Sequence, residues 1–330
     1  MPVENNFAKI IPPPRLRSGD TIALIAPAYH IEAHRWEPAL PLLQSWGLQV
    51  KTGSSLRLRD GVFAGNDQQR LNDLVTMLCD PQIKAILCAR GGYGCGRLLP
   101  GLERDSSSFT PKWLVGYSDV TALASFMVNR MRWQCIHGPM PIDMGTASPP
   151  EPPESLNRGS MESWNHLHHL LFGQPPEYDL PAHTLNRCGT ATAPLIGGNL
   201  SVICSLNATP WQWQTAGCIL FIEEVNEPLY HVDRMMNSLR TGGQLSRLKG
   251  LLVGAMTGMR DSEPSFGKSA YEIIAAHVEA YDYPVAFGFP AGHGSDRERG
   301  DVNNPLTLGA NVRLQVTEHS VRVEQLNTLP

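Results

Sequence analysis

Between residues 20 and 140 the chain repeats one rhythm: a short apolar run, a glycine or polar break, then a segment with helical spacing. The apolar runs cover residues 21–26, 48–52, 85–89, 113–115 and 134–137. Helices are predicted over 32–46 and 67–79, the second carrying Leu71, Leu74, Val75 and Leu78 on one face. Runs so short and so uniformly apolar suit strands buried on both sides. Strands separated by helices pair in parallel. The expectation is an α/β fold with a parallel sheet covered on both faces, whose sites form beyond the carboxyl ends of the strands.

Two segments occupy such ends. In Trp113-Leu-Val-Gly116-Tyr-Ser118-Asp119-Val120, an apolar run stops at a glycine and a helical pattern starts at the serine. A tight strand-to-helix turn would expose that hydroxyl beside unpaired helix N–H groups, which suits a nucleophile. The Gly-x-Ser-x-Gly elbow would need glycine at position 120, which is Val120, and a simple helix cap is the competing reading. The second segment, Arg90-Gly91-Gly92-Tyr93-Gly94-Cys95-Gly96, lacks both the dinucleotide and the phosphate-loop spacing. It is either a tight turn or a loop whose backbone N–H groups approach a substrate carbonyl.

Beyond residue 193, strands are predicted over 219–222, 251–255 and 285–288, helices over 200–206, 230–239 and 271–280, and a terminal hairpin over 312–316 and 321–324. Glu223 and Glu224 end one strand. Alternation sends them to opposite faces, so at most one can orient a histidine. Gly292-His293-Gly294 places an imidazole in a glycine loop after another strand, a good position for a general base. The cluster His166-Leu-His168-His169 and the pair His231 and Asp233 lack the pattern of a metal site.

At 330 residues the chain suggests two domains. Their expected limits are 1–145 and 193–330, with a proline-rich connector over 146–192 holding one local helix. A net charge of −4 without a basic run argues against nucleic acid as a partner. No apolar stretch approaches the ~20 residues of a membrane span, and no leader is apparent. Seven scattered cysteines, none in a Cys-x-x-Cys pair, point to buried thiols and a reducing, cytoplasmic setting.

Taken in order, Phe63-Ala-Gly65 with Arg70, Cys88-Ala-Arg-Gly-Gly-Tyr-Gly94, Gly116-Tyr-Ser-Asp-Val-Thr-Ala-Leu123, His137-Gly-Pro-Met140, Leu195-Ile-Gly-Gly-Asn-Leu-Ser201, Phe221-Ile-Glu-Glu224 with Asp233-Arg234, and Gly292-His-Gly294 resemble the LD-carboxypeptidase family of serine peptidases. The resemblance spans about residues 20 to 310. It implies a flavodoxin-like N-terminal domain, a smaller β-rich α/β C-terminal domain, and a triad of Ser118, Glu223 and His293 in the cleft between them. The family commonly has aspartate where this chain has Glu224, and a shorter passage than Ser295 to Asn304 after the histidine. Oxyanion donors would be the backbone N–H groups of Asp119 and of Gly91 or Gly92, and Arg90 and Tyr93 would contact substrate. The implied activity is cleavage of the bond between an L-diamino acid and D-alanine in murein tetrapeptides during cell-wall recycling. It implies a homodimer and no metal or organic cofactor. Alternatives are a self-immunity hydrolase of microcin C7 type acting on aminoacyl nucleotides, with Tyr93 or Trp113 stacking the base, and a binding protein that has lost catalysis. Arg90 and Arg234 are the basic candidates for an anionic substrate, or members of structural ion pairs.

Overall fold

The computed structural model describes residues 10–144, 158–294 and 302–326. Five parallel strands build the first sheet: β1 (Thr21–Ile25), β2 (Gln49–Thr52), β3 (Ile83–Cys88), β4 (Trp113–Val115) and β5 (Cys135–His137). Their spatial order, 2-1-3-4-5, is the flavodoxin-like one. Alternation divides β1, β3, β4 and β5 between two cores, while the edge strand β2 gives only Val50 to one of them. Ile22 and Leu24 face one side; Ala23 and Ile25 face the other.

Helices α1 (Ala33–Trp36) and α2 (Ala39–Ser45) cover the first face with Trp36 and Leu43. The single helix predicted over 32–46 is thus two short ones. Pro38 has no N–H to continue the ladder begun in α1, and it starts α2 instead. Helices α3 (Asp67–Cys79), α4 (Leu99–Asp105) and α5 (Thr121–Phe126) cover the opposite face. The predicted limits of α3 hold because Asn66 and Gln69 form a reciprocal capping box at its start.

Helix α6 (Arg158–Leu171) lies in the proline-rich stretch and packs Trp164, Leu167 and Leu170 onto the first face beside α1 and α2. The prolines at 149–150 and 152–153 lie outside the described residues. Further along, β6 (Tyr178–Pro181) joins a second, seven-stranded sheet with β7 (Gly189–Asn199), β8 (Ile219–Val225), β9 (Gly250–Thr257) and β10 (Val285–Ala286). One more strand, β11 (Leu306–Leu308), leaves that unit and pairs antiparallel with β5 of the first sheet. The predicted terminal hairpin is β12 (Asn311–Val316) with β13 (Ser320–Gln325), paired from Val312↔Gln325 to Val316↔Val321. Between the strands run α7 (Leu200–Ser205), α8 (Leu229–Thr241) and α9 (Ala270–Val278).

The second sheet is mixed. Strand β7 is eleven residues long and pairs parallel with β8 through its second half, antiparallel with β12 through its first. One continuous apolar core joins α3, α4 and α5 to β8, β9 and the helices beside them. Polar bonds pin the same contact: Asn199 N–H donates to Thr121 Oγ1 at 3.0 Å, and Trp211 Nε1 to Glu103 at 3.2 Å. Gly198 is required there, because a Cβ would lie 2.4 Å from Thr121 Oγ1. The turn that carries Ser118 is therefore held against the strand that precedes α7.

Candidate active site

Strand β4 ends at Val115, and residues 118–120 form a single 3-10 turn leading into α5. Ser118 has φ 61°, a left-handed conformation that costs a residue with a Cβ about 1–2 kcal/mol. No side chain caps the turn, and Ser118 Oγ has no protein partner among the described residues. The cap reading fails here. A half-buried, strained serine with a free hydroxyl remains.

The glycine loop after β3 packs against that turn. A Cβ on Gly91 would lie 3.0 Å from Ser118 Oγ and 3.2 Å from Asp119 N. Only hydrogen leaves room for an oxygen bound between them. Neither the Gly91 nor the Gly92 N–H is spent on a protein acceptor among the described residues. Asp119 ties the two segments together by accepting the Cys95 N–H at 2.8 Å, with its carboxyl pKa pushed up by burial. Arg70, fully buried, braces the far side of the loop by donating to Pro27 O at 2.6 Å and Gly94 O at 3.1 Å. A Gly91→Ala variant, whose Cβ would stand 2.8 Å from Ser118 Cβ, is expected to melt at a lower temperature and to lose at least 100-fold in kcat, measured by a thermal melt beside a steady-state assay.

Strand β8 delivers Glu223, fully buried, to the loop that follows β10. Its Oε2 accepts both the His293 N–H at 3.1 Å and His293 Nδ1–H at 2.7 Å. Gly292 permits this approach; its φ is 95°, and a Cβ there would lie 2.5 Å from the same oxygen. The bond to Nδ1 sets the tautomer and leaves Nε2 as the free base, without a protein partner among the described residues. Burial alone would lower the His293 pKa, but the Glu223 charge and hydrogen bond outweigh it and raise the value. Burial likewise pushes Glu223 upward, and the imidazole more than reverses this.

Glu224 points away, as strand alternation requires. It accepts from Asn199 Nδ2 at 2.9 Å, Ser201 N at 2.7 Å and Val225 N at 2.9 Å, anchoring the start of α7. The carboxylate on the histidine is Glu223.

Tyr117 joins the two halves. Its ring stands edge-on to His293 with centroids 4.8 Å apart, and its hydroxyl donates to Asp143 at 2.7 Å. No hydrogen bond connects Ser118 Oγ to His293 among the described residues, an open geometry common before substrate binds. His137 is buried behind Tyr117 and against Phe221, and burial pushes its pKa down to about 4. A cavity of about 250 Å³ opens here, lined by Tyr117, Asp143, Ser163, Thr257, His293 and Asn303. A larger groove of about 490 Å³ adjoins it at Thr257, Gly294 and Val302. Tyr117, Asp143 and Asn303 escape sequence reasoning because nothing local marks them. Asn303 Oδ1 accepts the Gly292 N–H at 2.8 Å only because β11 returns to the first sheet.

Arg90 is half-buried over the Tyr29 ring, and Tyr93 is 55% exposed at the tip of the glycine loop. Trp113 is fully buried and donates to Pro14 O at 2.9 Å, so it cannot stack a base. Arg234 lies over Tyr230 rather than beside an acid. His166 meets Asn304, and His168 packs on Trp46. His231 binds Glu227 and Asp233 binds His277. The passage 295–301 lies outside the described residues.

A strained hydroxyl, a buried carboxylate–imidazole pair and unspent backbone donors can together perform acyl transfer. The chain also resembles known proteins along most of its length. Residues 22–138 match the LD-carboxypeptidase N-terminal domain, and residues 192–314 match the LD-carboxypeptidase C-terminal domain. The chain is 31% identical over 293 residues to the murein tetrapeptide carboxypeptidase of Pseudomonas aeruginosa, covering 88% of this chain and 93% of that one. It is 24% identical over 328 residues to the microcin C7 self-immunity protein of Escherichia coli, with 91% of each chain covered. The crystal structure of muramoyltetrapeptide carboxypeptidase from Oxalobacter formigenes superposes with a TM-score of 0.77 at 24% identity, over 94% of this chain and all of that one.

Proposed function

The chain belongs to the LD-carboxypeptidase family, and from that premise we propose that it is a serine carboxypeptidase releasing D-alanine from murein tetrapeptides. The observation that supports the serine mechanism is the Glu223–His293 pair, whose imidazole packs against the ring of Tyr117, the residue next to Ser118. Ser118 attacks the carbonyl of the diamino acid while His293 Nε2 takes its proton. The oxyanion meets the N–H groups of Asp119 and the Gly91–Gly92 loop. His293 then protonates the departing D-alanine amine, and water hydrolyses the acyl-enzyme by the same route in reverse. Glu223 stabilises the imidazolium in both steps.

The catalytic groups come from both units, Ser118 from residues 1–145 and the acid and base from 193–330. All seven cysteines are free thiols, which supports a cytoplasmic setting. Among the described residues no helix is long and apolar enough to cross a membrane. The reading includes action as a homodimer, checked by light scattering.

Incubation with tetrapeptide and mass spectrometry of the products tests the substrate assignment, with D-alanine release expected. Turnover of an aminoacyl sulfamoyl nucleotide with no tetrapeptide cleavage would replace it with the self-immunity reading. A pH dependence also follows. The base works only as neutral imidazole, and the His293 pKa lies above its ordinary 6.5. The kcat/KM profile is therefore expected to fall toward acid with its midpoint above pH 6.5, while Glu223 stays ionised throughout.

A further inference from the structure

Several arginines in this chain are matched with acids. Arg70 and Arg97 share Asp67, Arg130 pairs with Glu103, and Arg322 with Glu177. Arg35 and Arg90, both half-buried beside the glycine loop, pair with no carboxylate among the described residues. Yet they lie in one layer. Arg35 Nη2 donates to Ile142 O at 2.9 Å, and the Ile142 N–H donates to Ala89 O at 3.0 Å. Arg90 follows Ala89 and gives its Nη1 to His30 O at 3.1 Å, five residues before Arg35. Among the described residues each guanidinium keeps one Nη without a partner, and each leaves Nε buried without an acceptor. Burial and the nearby Arg35 charge both depress the Arg90 pKa. Asp143, the acid that follows Ile142, is occupied by the Tyr117 hydroxyl and by the Met140 N–H at 2.8 Å. Two neighbouring cations with donors to spare and no counter-charge favour an arriving anion, and a planar carboxylate fits the guanidinium fork.

We propose that Arg35 and Arg90 anchor the terminal carboxylate of the substrate's leaving residue. That carboxylate lies roughly 3–4 Å from the reacting carbonyl carbon by covalent geometry, so its anchor must border the oxyanion donors. Arg90 immediately precedes Gly91, whose Cα faces Ser118 Oγ. Carboxylates farther back in the peptide have no such proximity. The pair makes the enzyme act only on a free carboxyl end, which deepens the carboxypeptidase reading and rests on it.

The test is calorimetric binding to the Ser118→Ala protein, with and without Arg35→Gln or Arg90→Gln. The probes are the tetrapeptide as free acid, as terminal amide, and amidated at the diamino acid's second carboxylate. The free acid is expected to bind at least tenfold tighter than the terminal amide. Each arginine variant should weaken the free acid by roughly 10- to 100-fold and leave the terminal amide within about twofold. The third peptide should behave like the free acid. Equal losses for acid and terminal amide, or a loss that follows the second carboxylate, overturn the anchor. Thermal melts of both variants exclude misfolding as the cause of any loss. Equal cleavage of free acid and terminal amide by the wild-type protein, releasing D-alanine and D-alanine amide respectively, removes the anchor and keeps the function; no tetrapeptide binding or cleavage at all removes both.

Discussion

Replacing Ser118 with alanine is expected to reduce D-alanine release by roughly 10⁵- to 10⁶-fold, with the melting temperature changed by only a few degrees. Two features separate the chemical effect from the structural one. The hydroxyl has no protein partner among the described residues, so its removal leaves no buried group unsatisfied. Serine and alanine both carry a Cβ, so the left-handed backbone at φ 61° costs each about the same. What disappears is the hydroxyl oxygen placed against the Gly91 surface, 3.0 Å from where a Cβ would stand. The residual rate should come from binding and the oxyanion donors alone. Single-turnover release from tetrapeptide, with fluorophosphonate labelling in parallel, checks this. Activity within 100-fold of wild type would assign the attack to another group.

The second large effect is expected at Glu223. In Glu223→Gln the new carboxamide oxygen can still accept the His293 N–H and Nδ1–H in place of Oε2, so the ring keeps its orientation. The charge is gone, however, from a fully buried position, and Oε1, already without a partner, becomes an amide NH₂ with no acceptor. The imidazolium formed in each step then loses its nearest counter-charge, with only the weaker fields of Asp143 and Glu224 left. We expect kcat to fall by about 10³- to 10⁴-fold, the scale seen when the acid of a serine–histidine–acid triad loses its charge. The acid limb of the pH profile should also move down, because burial, which lowers the His293 pKa, is no longer outweighed. Glu224→Gln is the control. That side chain holds the start of α7, so the substitution should lower stability and cost less than tenfold in kcat. A reversed ranking of the two variants would place the triad acid on Glu224.

These expectations rest on two units packed as one body. The serine turn lies against β7, and Asn199 and Trp211 hydrogen-bond across the contact. Strand β11 crosses back to pair with β5, with Leu306 opposite His137. The cleft is therefore shaped by a fixed interface whose apolar core is continuous across it. This contact also explains the need for glycine at Gly198, where a Cβ would strike Thr121.

Local chemistry made much of this legible. Uniform apolarity marked β1, β3 and β4 as doubly buried strands, and the Asn66–Gln69 cap fixed where α3 begins. Glycine punctuation located the serine turn, the 91–96 loop and His293, because those conformations exclude larger neighbours. Strand parity alone implied that only one of Glu223 and Glu224 could serve. Which of the two it is was decided by packing, when Gly292 brought the 293 loop onto Oε2 across 70 residues of sequence. Packing also recruited Tyr117, Asp143 and Asn303, and set Arg35 beside Arg90. The physical reason is one of range. Periodicity, capping and glycine backbone freedom act over a few residues and are written in the neighbours of each position. A contact between distant segments depends on the register and crossing of whole strands, which the packed sheets alone determine.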